Sequence, residues 1–385
     1  MRIGICALGA VSQDTGGQTY LKNFAKTLGE IKTNNEFVWF FSKGESKVIE
    51  FPDNTSTNVV VELPLSARTV QRLVCEHILL PLFSDHHRVD VMFFPNNYAS
   101  IFYRKPFVLA IRSMLIYNTK SHGVNLIRSF YRSIIAPLSA KKAAIIITPS
   151  YHTKLEIIKH LNISDNNIEV ISHGIDIQLF GSEKNSDAAD TLWKKWNIKP
   201  PFILYVSALW SYKNHDKLIL AFDKYRKSKK TDFQLVLIGK GASSFESYGK
   251  YLKDLITDLK LSEVVRFIDF LPHQDLKHFY QWASVYAFPS QTESFGNSIY
   301  EAMAAGAPII CSNTHGYETK VKEAVLSVNP HDINCFADAI NAVINNKNLR
   351  ANLIKNGKIQ ANNMSWDNCI RNTVLIIEKA NYEKN

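Results

Sequence analysis

The chain has 385 residues, of which 46% are hydrophobic and 21% charged, and its formal net charge is +10. This length suggests about two to three domains, and the apolar fraction permits sizeable cores, which excludes a disordered, collagenous or coiled-coil chain. The basic balance, with a pI near 9.2, points toward anionic partners such as nucleotide phosphates, nucleic acid or acidic lipid headgroups. Cys6, Cys75, Cys311, Cys335 and Cys369 lie far apart and form no CxxC pair, so neither a disulfide framework nor a zinc finger is expected and a reducing, cytoplasmic setting fits. No apolar run reaches the roughly 18 residues of a membrane-spanning helix.

Arg2 followed by the apolar stretch 3–11 looks like a short signal peptide. A Gly16-Gly17 turn and an amphipathic helix bearing Tyr20, Leu21, Phe24 and Leu28 follow at once, however, which is the order of a first buried strand and its helix. Short β-rich runs then recur between helix-length segments, at 37–41, 89–94, 107–111, 145–148 and 170–171, and again at 202–206, 233–238, 264–267, 285–288 and 308–311. Runs apolar on both faces and spaced by helices predict parallel sheets covered on both sides, so the expected class is α/β with two Rossmann-like, doubly wound domains. The polar stretch 181–186 and the pair Pro200 and Pro201 mark the break. The predicted division is an N-terminal domain over 1–180, a C-terminal domain over 181–363 and a helix over 364–385, where Ile370, Val374, Ile377 and Ala380 fall near helical spacing.

Gly16 and Gly17, between a strand and a helix, are either a plain turn or a phosphate cradle, since glycine lets a backbone approach closely and free N–H groups at a helix start attract anions. The block from Glu293 to Glu301, reading E-S-F-G-N-S-I-Y-E, is more specific. A retaining glycosidase needs its carboxylates about 5 Å apart, whereas eight residues of helix span about 12 Å, so two separate binding contacts are the better functional reading. The plainer alternative is a solvated helix start, where Glu favours the macrodipole.

This block resembles the E-x7-E signature of the retaining, GT-B-fold glycosyltransferases of family 4. Gly16 and Gly17 are similar to that family's N-terminal glycine loop, Glu169 through Asp176 to Phe180 to its interdomain segment, and Leu204 through Lys213 and Asn214 to its phosphate-binding stretch. Leu235 through Gly239 to Gly241 resembles its next strand and turn. The resemblance covers nearly the whole chain. It implies two domains facing a cleft, the N-terminal one for the acceptor and the C-terminal one for a nucleotide-sugar, UDP- or GDP-linked. It also implies that Glu293 meets sugar hydroxyls and Glu301 the ribose, that Phe295, Gly296 and Asn297 offer main-chain groups near sugar and phosphate, and that Phe270 and Leu271 lie by the base. Ionised carboxylates do accept hydrogen bonds from vicinal diols, and a helix starting near Asn297 would aim N–H groups at a diphosphate. Bacterial surface-polysaccharide assembly, such as O-antigen or capsule, is the implied role, on the inner face of the cytoplasmic membrane, with a glycan or lipid-linked saccharide as acceptor.

The chain departs from the family pattern twice. Where the family has a Gly-Arg pair shortly before the motif lysine, this chain has Ser207 and Ala208, which leaves Lys213 as the principal cation for the leaving phosphate. Where many relatives carry a His-Asp pair after the fourth buried run, it reads Arg112, Ser113 and Met114; Arg112 either faces the donor or an anionic acceptor, or ends a strand. The expected catalytic set is therefore Lys213, Glu293 and Arg112. The span 101–160 holds ten basic residues against one acidic residue, Glu156. Leu126 to Leu138 has the helical spacing of a basic amphipathic face, either a core helix or a membrane-surface contact. There is no D-x-D, GxSxG, complete P-loop or HExxH, and neither a metal nor a cofactor is expected. Nucleic-acid binding would explain the charge but not the glutamates. A GT-B-type epimerase or phosphorylase, and a non-catalytic nucleotide-sugar or glycan binder, are the competing functions.

Overall fold

The computed structural model describes residues 1–9, 16–52, 58–66, 69–114, 117, 131–240, 246–313 and 319–382. The chain divides into two units, one of Met1–Gly174 with Trp366–Asn385 and one of Ile175–Ser365.

In the first unit, strands β1 (Arg2–Cys6), β2 (Glu36–Ser42), β3 (Asn58–Leu63), β4 (Val91–Phe94), β5 (Phe107–Ala110), β6 (Ile145–Thr148) and β7 (Ile168–Val170) form one sheet. It is parallel, in the order β3-β2-β1-β4-β5-β6-β7. Successive side chains on a strand point to opposite faces. Ile5, Trp39, Phe93, Val108 and Ile147 accordingly enter one apolar cluster, and Cys6, Phe40, Phe94, Leu109 and Ile146 another. A sheet covered on both sides favours apolar residues on both faces of its central strands, which is why β4, β5 and β6 read as near-continuous apolar runs. The first cluster is closed by the helix Gly16–Glu30, through Tyr20, Phe24 and Leu28, and by the helix Trp366–Tyr382, through Ile370, Val374, Ile377 and Ala380. The chain thus leaves this unit and returns to it at the end. Gly174 marks the crossing, for a Cβ there would lie 2.4 Å from the Trp366 amide nitrogen.

The second unit holds β8 (Phe202–Val206), β9 (Gln234–Ile238), β10 (Val265–Ile268), β11 (Val285–Phe288), β12 (Ile309–Ser312) and β13 (Val325–Val328). These are parallel in the order β10-β9-β8-β11-β12-β13. Its core contains the fully buried rings of Tyr205, Tyr280 and Tyr286. In both sheets the order reverses once, between β1 and β4 and between β8 and β11. Helices on either side of such a point diverge and leave a crevice outside the carboxyl ends of the two strands, where open α/β sheets bind ligands.

Two strands escape the sequence reading, and both are edge strands. β3 exposes Val59 and Val60, and β13 is buried at only one of its four positions, so neither gives a continuous apolar signal. The first crossing lies at 174/175, six residues before the predicted boundary, because Ile175 and Phe180 pack into the second unit's core. Residues 126–130 of the amphipathic segment 126–138 lie outside the described residues. Within the described part, Ile134 and Leu138 are exposed and the helix Ala136–Lys142 ends on Lys141 and Lys142.

Candidate active site

The second unit's reversal point brings together two residues that the sequence reading gave separate roles. Lys213 ends the 3-10 turn Ser211–Lys213 that follows β8, and Glu293 lies in the loop after β11. Their side chains form an ion pair across 80 positions of sequence, each only 12% exposed. Ser290 donates from Oγ to Glu293 Oε1 at 3.2 Å. The Tyr205 hydroxyl donates to the Lys213 carbonyl at 3.0 Å, pinning the turn from inside the core. The Lys213 ammonium also lies 5.3 Å from the Tyr212 ring centroid and 5.8 Å from that of Phe288. A cation held by one carboxylate and two ring faces, largely out of water, strengthens any anion that reaches it.

His215 opens the next helix, His215–Lys229, two residues beyond Lys213. Burial pushes its imidazole down to about 3, the Lys213 charge adds to the fall, and a hydrogen bond with the Ser207 backbone opposes it. The ring is therefore neutral across the physiological range and adds no second cation behind the Lys213 side chain.

Beyond Glu293 the chain turns at Gly296, which takes φ +84 as the residue before the helix Asn297–Ala305. The sequence argument spread eight residues of helix between the two glutamates; in fact only Glu301 is helical and Glu293 belongs to the loop, so that span does not apply. Asn297 is the first helical residue, and its end of the helix presents N–H groups that have no partner within it. Phe295 is buried and stacks on Tyr300 with centroids 4.8 Å apart, fixing the turn. The Glu301 carboxyl accepts from the Tyr280 hydroxyl at 2.9 Å. Burial raises its pKa, and the His273 charge and the Tyr280 hydrogen bond work against that rise.

Ser207 and Gly239 follow β8 and β9 side by side: the Ser207 amide donates to the Ile238 carbonyl at 2.8 Å, and Gly239 has φ +152. Ser207 Oγ donates to the Ala208 carbonyl at 3.3 Å. Phe270 is 65% exposed, whereas Leu271 is buried in the core. Sequence reasoning missed Ser290, Tyr280 and His273. Ser290 and Tyr280 sit among buried positions, and none of the three carries a spacing that assigns it a role by itself.

In the first unit, Gly16 and Gly17 open the helix Gly16–Glu30. Arg112 follows β5, with its guanidinium 4.3 Å from the Tyr20 ring centroid and its Nε donating to His173 Nε2 at 3.4 Å. Its main-chain amide donates to Asn97 Oδ1 at 2.7 Å. Burial lowers its pKa, with Tyr20 and Cys369 opposing. These contacts hold the Arg112 side chain at the end of β5. No group of histidine, cysteine and carboxylate side chains suited to a metal ion occurs among the described residues.

Two doubly wound units, one with a charged pair beside a helix start at its reversal point, define a protein of the GT-B fold. Residues 15–179 match the family described as Glycosyltransferase Family 4 and residues 190–360 the family described as Glycosyl transferases group 1. The chain belongs to these glycosyltransferases. It is 27% identical over 216 residues to the O-antigen chain mannosyltransferase RfbU of Salmonella typhimurium, covering 56% of this chain and 55% of that protein. It is 25% identical over 244 residues to a D-inositol 3-phosphate glycosyltransferase of Acidothermus cellulolyticus, covering 62% and 54%. The matched region thus spans little more than half the length of these curated relatives. In fold it is similar to Anabaena Alr3699/HepE, solved in complex with UDP and glucose, with a TM-score of 0.74 and 18% identity, covering 98% of this chain and 100% of that one. A glycosyltransferase from Rickettsia africae is similar at a TM-score of 0.75, with 18% identity and 98% of each chain covered.

Proposed function

We propose that the protein moves a sugar from a UDP- or GDP-linked donor to a glycan or lipid-linked saccharide acceptor during surface-polysaccharide assembly, with retention of configuration and without a metal ion. The observation that carries this reading is the Lys213–Glu293 pair at the carboxyl ends of β8 and β11. A donor binding there offers Lys213 a diphosphate and Glu293 a set of hydroxyls, so each partner exchanges the other for the ligand group it suits. Lys213 then stabilises charge on the departing diphosphate, and the amides at the start of the Asn297–Ala305 helix share that load. In front-face substitution the departing phosphate also helps to take the acceptor proton. Orientation supplies the rest of the rate, and no fixed nucleophile is required. O-antigen mannosyltransferases among the relatives support the polysaccharide role.

The test is a thermal-shift series with UDP, GDP, ADP, dTDP and CMP, with and without EDTA. A nucleotide at 100 times its dissociation constant should add about 2.7 kcal/mol to apparent stability, unchanged by EDTA and weakened in Glu301→Ala. Proton NMR of the product made from the matching nucleotide-sugar should then show the donor's anomeric configuration in a new glycosidic bond. No shift with any nucleotide would remove the reading in favour of a glycan binder, and an epimerised sugar nucleotide in place of a glycoside would point to an epimerase.

A membrane-bound acceptor fits the exposed Ile134 and Leu138 beside Lys141 and Lys142, since a basic face with apolar residues binds anionic surfaces. No helix among the described residues is long and apolar enough to cross a membrane. Flotation with liposomes should recruit the protein at low salt when phosphatidylglycerol is present and release it as salt rises; absence of recruitment at low salt counts against this contact.

A further inference from the structure

The first unit has its own reversal point, and a small cavity opens there. It is bounded by Cys6 and Leu8 at the end of β1, Phe94 at the end of β4, Tyr98 just beyond, and Arg72 and Glu76 from the segment that follows β3. Glu76 is 3% exposed, and its Oε2 has no hydrogen-bond partner. The nearest cation, Arg72, holds its Nε 3.8 Å from that oxygen, beyond hydrogen-bond length, and donates instead from Nη2 to the Tyr98 hydroxyl at 3.1 Å. Glu76 lies on a π-helical turn, Cys75–Leu79, inserted in otherwise α-helical chain; such turns redirect side chains and recur at functional sites. A buried carboxyl oxygen left without a donor is costly, and here it borders a space of about one water molecule, the size of a single hydroxyl group.

The chemistry of the lining selects the occupant. A second anion would meet Glu76, and an amine would meet Arg72. A hydroxyl donates to the Glu76 oxygen while accepting from the Arg72 and Tyr98 side, and Cys6, Leu8 and Phe94 suit the C–H groups that carry it. We propose that this cavity is a sugar-hydroxyl subsite, in which Glu76, Arg72 and Tyr98 take one hydroxyl group of the acceptor saccharide and fix its orientation. This rests on the glycosyltransferase reading above. Burial pushes the Glu76 carboxyl up to about 7, so near neutrality it both donates and accepts, as a bound hydroxyl requires.

The test uses Glu76→Leu and Tyr98→Phe in the full chain, with methyl gluco-, galacto- and mannopyranosides as probes in saturation-transfer NMR. The wild type should bind at least one of these hexosides, and both variants should bind it at least about 10-fold more weakly, since a site built around a hydroxyl discriminates strongly once its polar partners go. The nucleotide-induced thermal shift should be the same in all three proteins, which shows that the fold and the donor side are intact. Replacing an unsatisfied buried carboxyl with a leucine of similar size should also leave melting unchanged or higher. A role confined to structure, or a cavity that holds only water, predicts equal hexoside binding in wild type and Glu76→Leu, and that result overturns the subsite. Absence of binding by the wild type to any hexoside overturns it too. A wild type that no nucleotide stabilises brings down the glycosyltransferase reading instead, so the two failures are told apart.

Discussion

Lys213→Ala should lower turnover by about 10²-fold or more, which corresponds to roughly 2.7 kcal/mol of lost transition-state stabilisation. The residue ends a turn that is anchored by the Tyr205 hydroxyl and carries its charge into a site 12% exposed. Removing it also leaves Glu293 without its partner, and breaking one side of a desolvated pair is destabilising in itself. Steady-state kinetics and melting should therefore be measured on Lys213→Ala, on Glu293→Gln and on the double variant. The double variant should regain most of the melting temperature lost by Lys213→Ala, because no uncompensated charge remains, yet recover none of its turnover. Lys213→Ala turning over at the wild-type rate would end the role assigned to this lysine.

Gly239→Ala should be the most damaging single methyl group in the second unit. An added Cβ would lie 1.9 Å from the Ser207 carbonyl oxygen and 2.5 Å from its carbon, at φ +152. Both obstacles are backbone, fixed by the Ser207 amide donating to the Ile238 carbonyl and the Gly239 amide donating to the Ile268 carbonyl at 2.9 Å. Neither can rotate aside, so the ends of β8, β9 and β10 must separate. Strain and overpacking of this kind cost about 3–5 kcal/mol together. The control is Gly44→Ala, also at positive φ but with nothing within 4 Å of the new methyl; it should cost about 1 kcal/mol. Melting curves of the two variants, with and without nucleotide, should show the large loss and a missing nucleotide shift in Gly239→Ala alone. Equal melting temperatures would mean that the two loops are not as tightly joined as their hydrogen bonds imply.

What the sequence displayed and what it hid follow from the same physics. Strands buried on both faces, such as β1, β4 and β11, stand out because no polar residue interrupts them, whereas β3 and β13 lie at edges and lose that mark. Ile370, Val374, Ile377 and Ala380 revealed a helical stripe, but the face it covers is built from β4, β5 and β6 and could not be read from the stripe. Lys213 and Glu293 were each visible as candidates. Their pairing was not, because it depends on β8 and β11 being neighbours although 80 residues separate the two side chains. Glu76 gave no signal, since a glutamate four positions after Arg72 looks like any exposed helix pair. Only the pairing of β1 with β4 turns that segment into the wall of a cavity.

The return of the last helix to the first unit bears on how the protein is made. Phe93, Val108 and Ile147 belong to a face that the Trp366–Tyr382 helix helps to cover, and that helix leaves the ribosome only after all of Ile175–Ser365 has been synthesised. The nascent first unit therefore waits with an incompletely covered apolar face while the second unit is completed. The same connectivity tells an engineer where to cut. A chimera that exchanges the second unit with that of a relative should replace 175–365 as a single insert and keep the native final helix with the native first unit, because a simple exchange of C-terminal halves would give the first sheet a foreign cover.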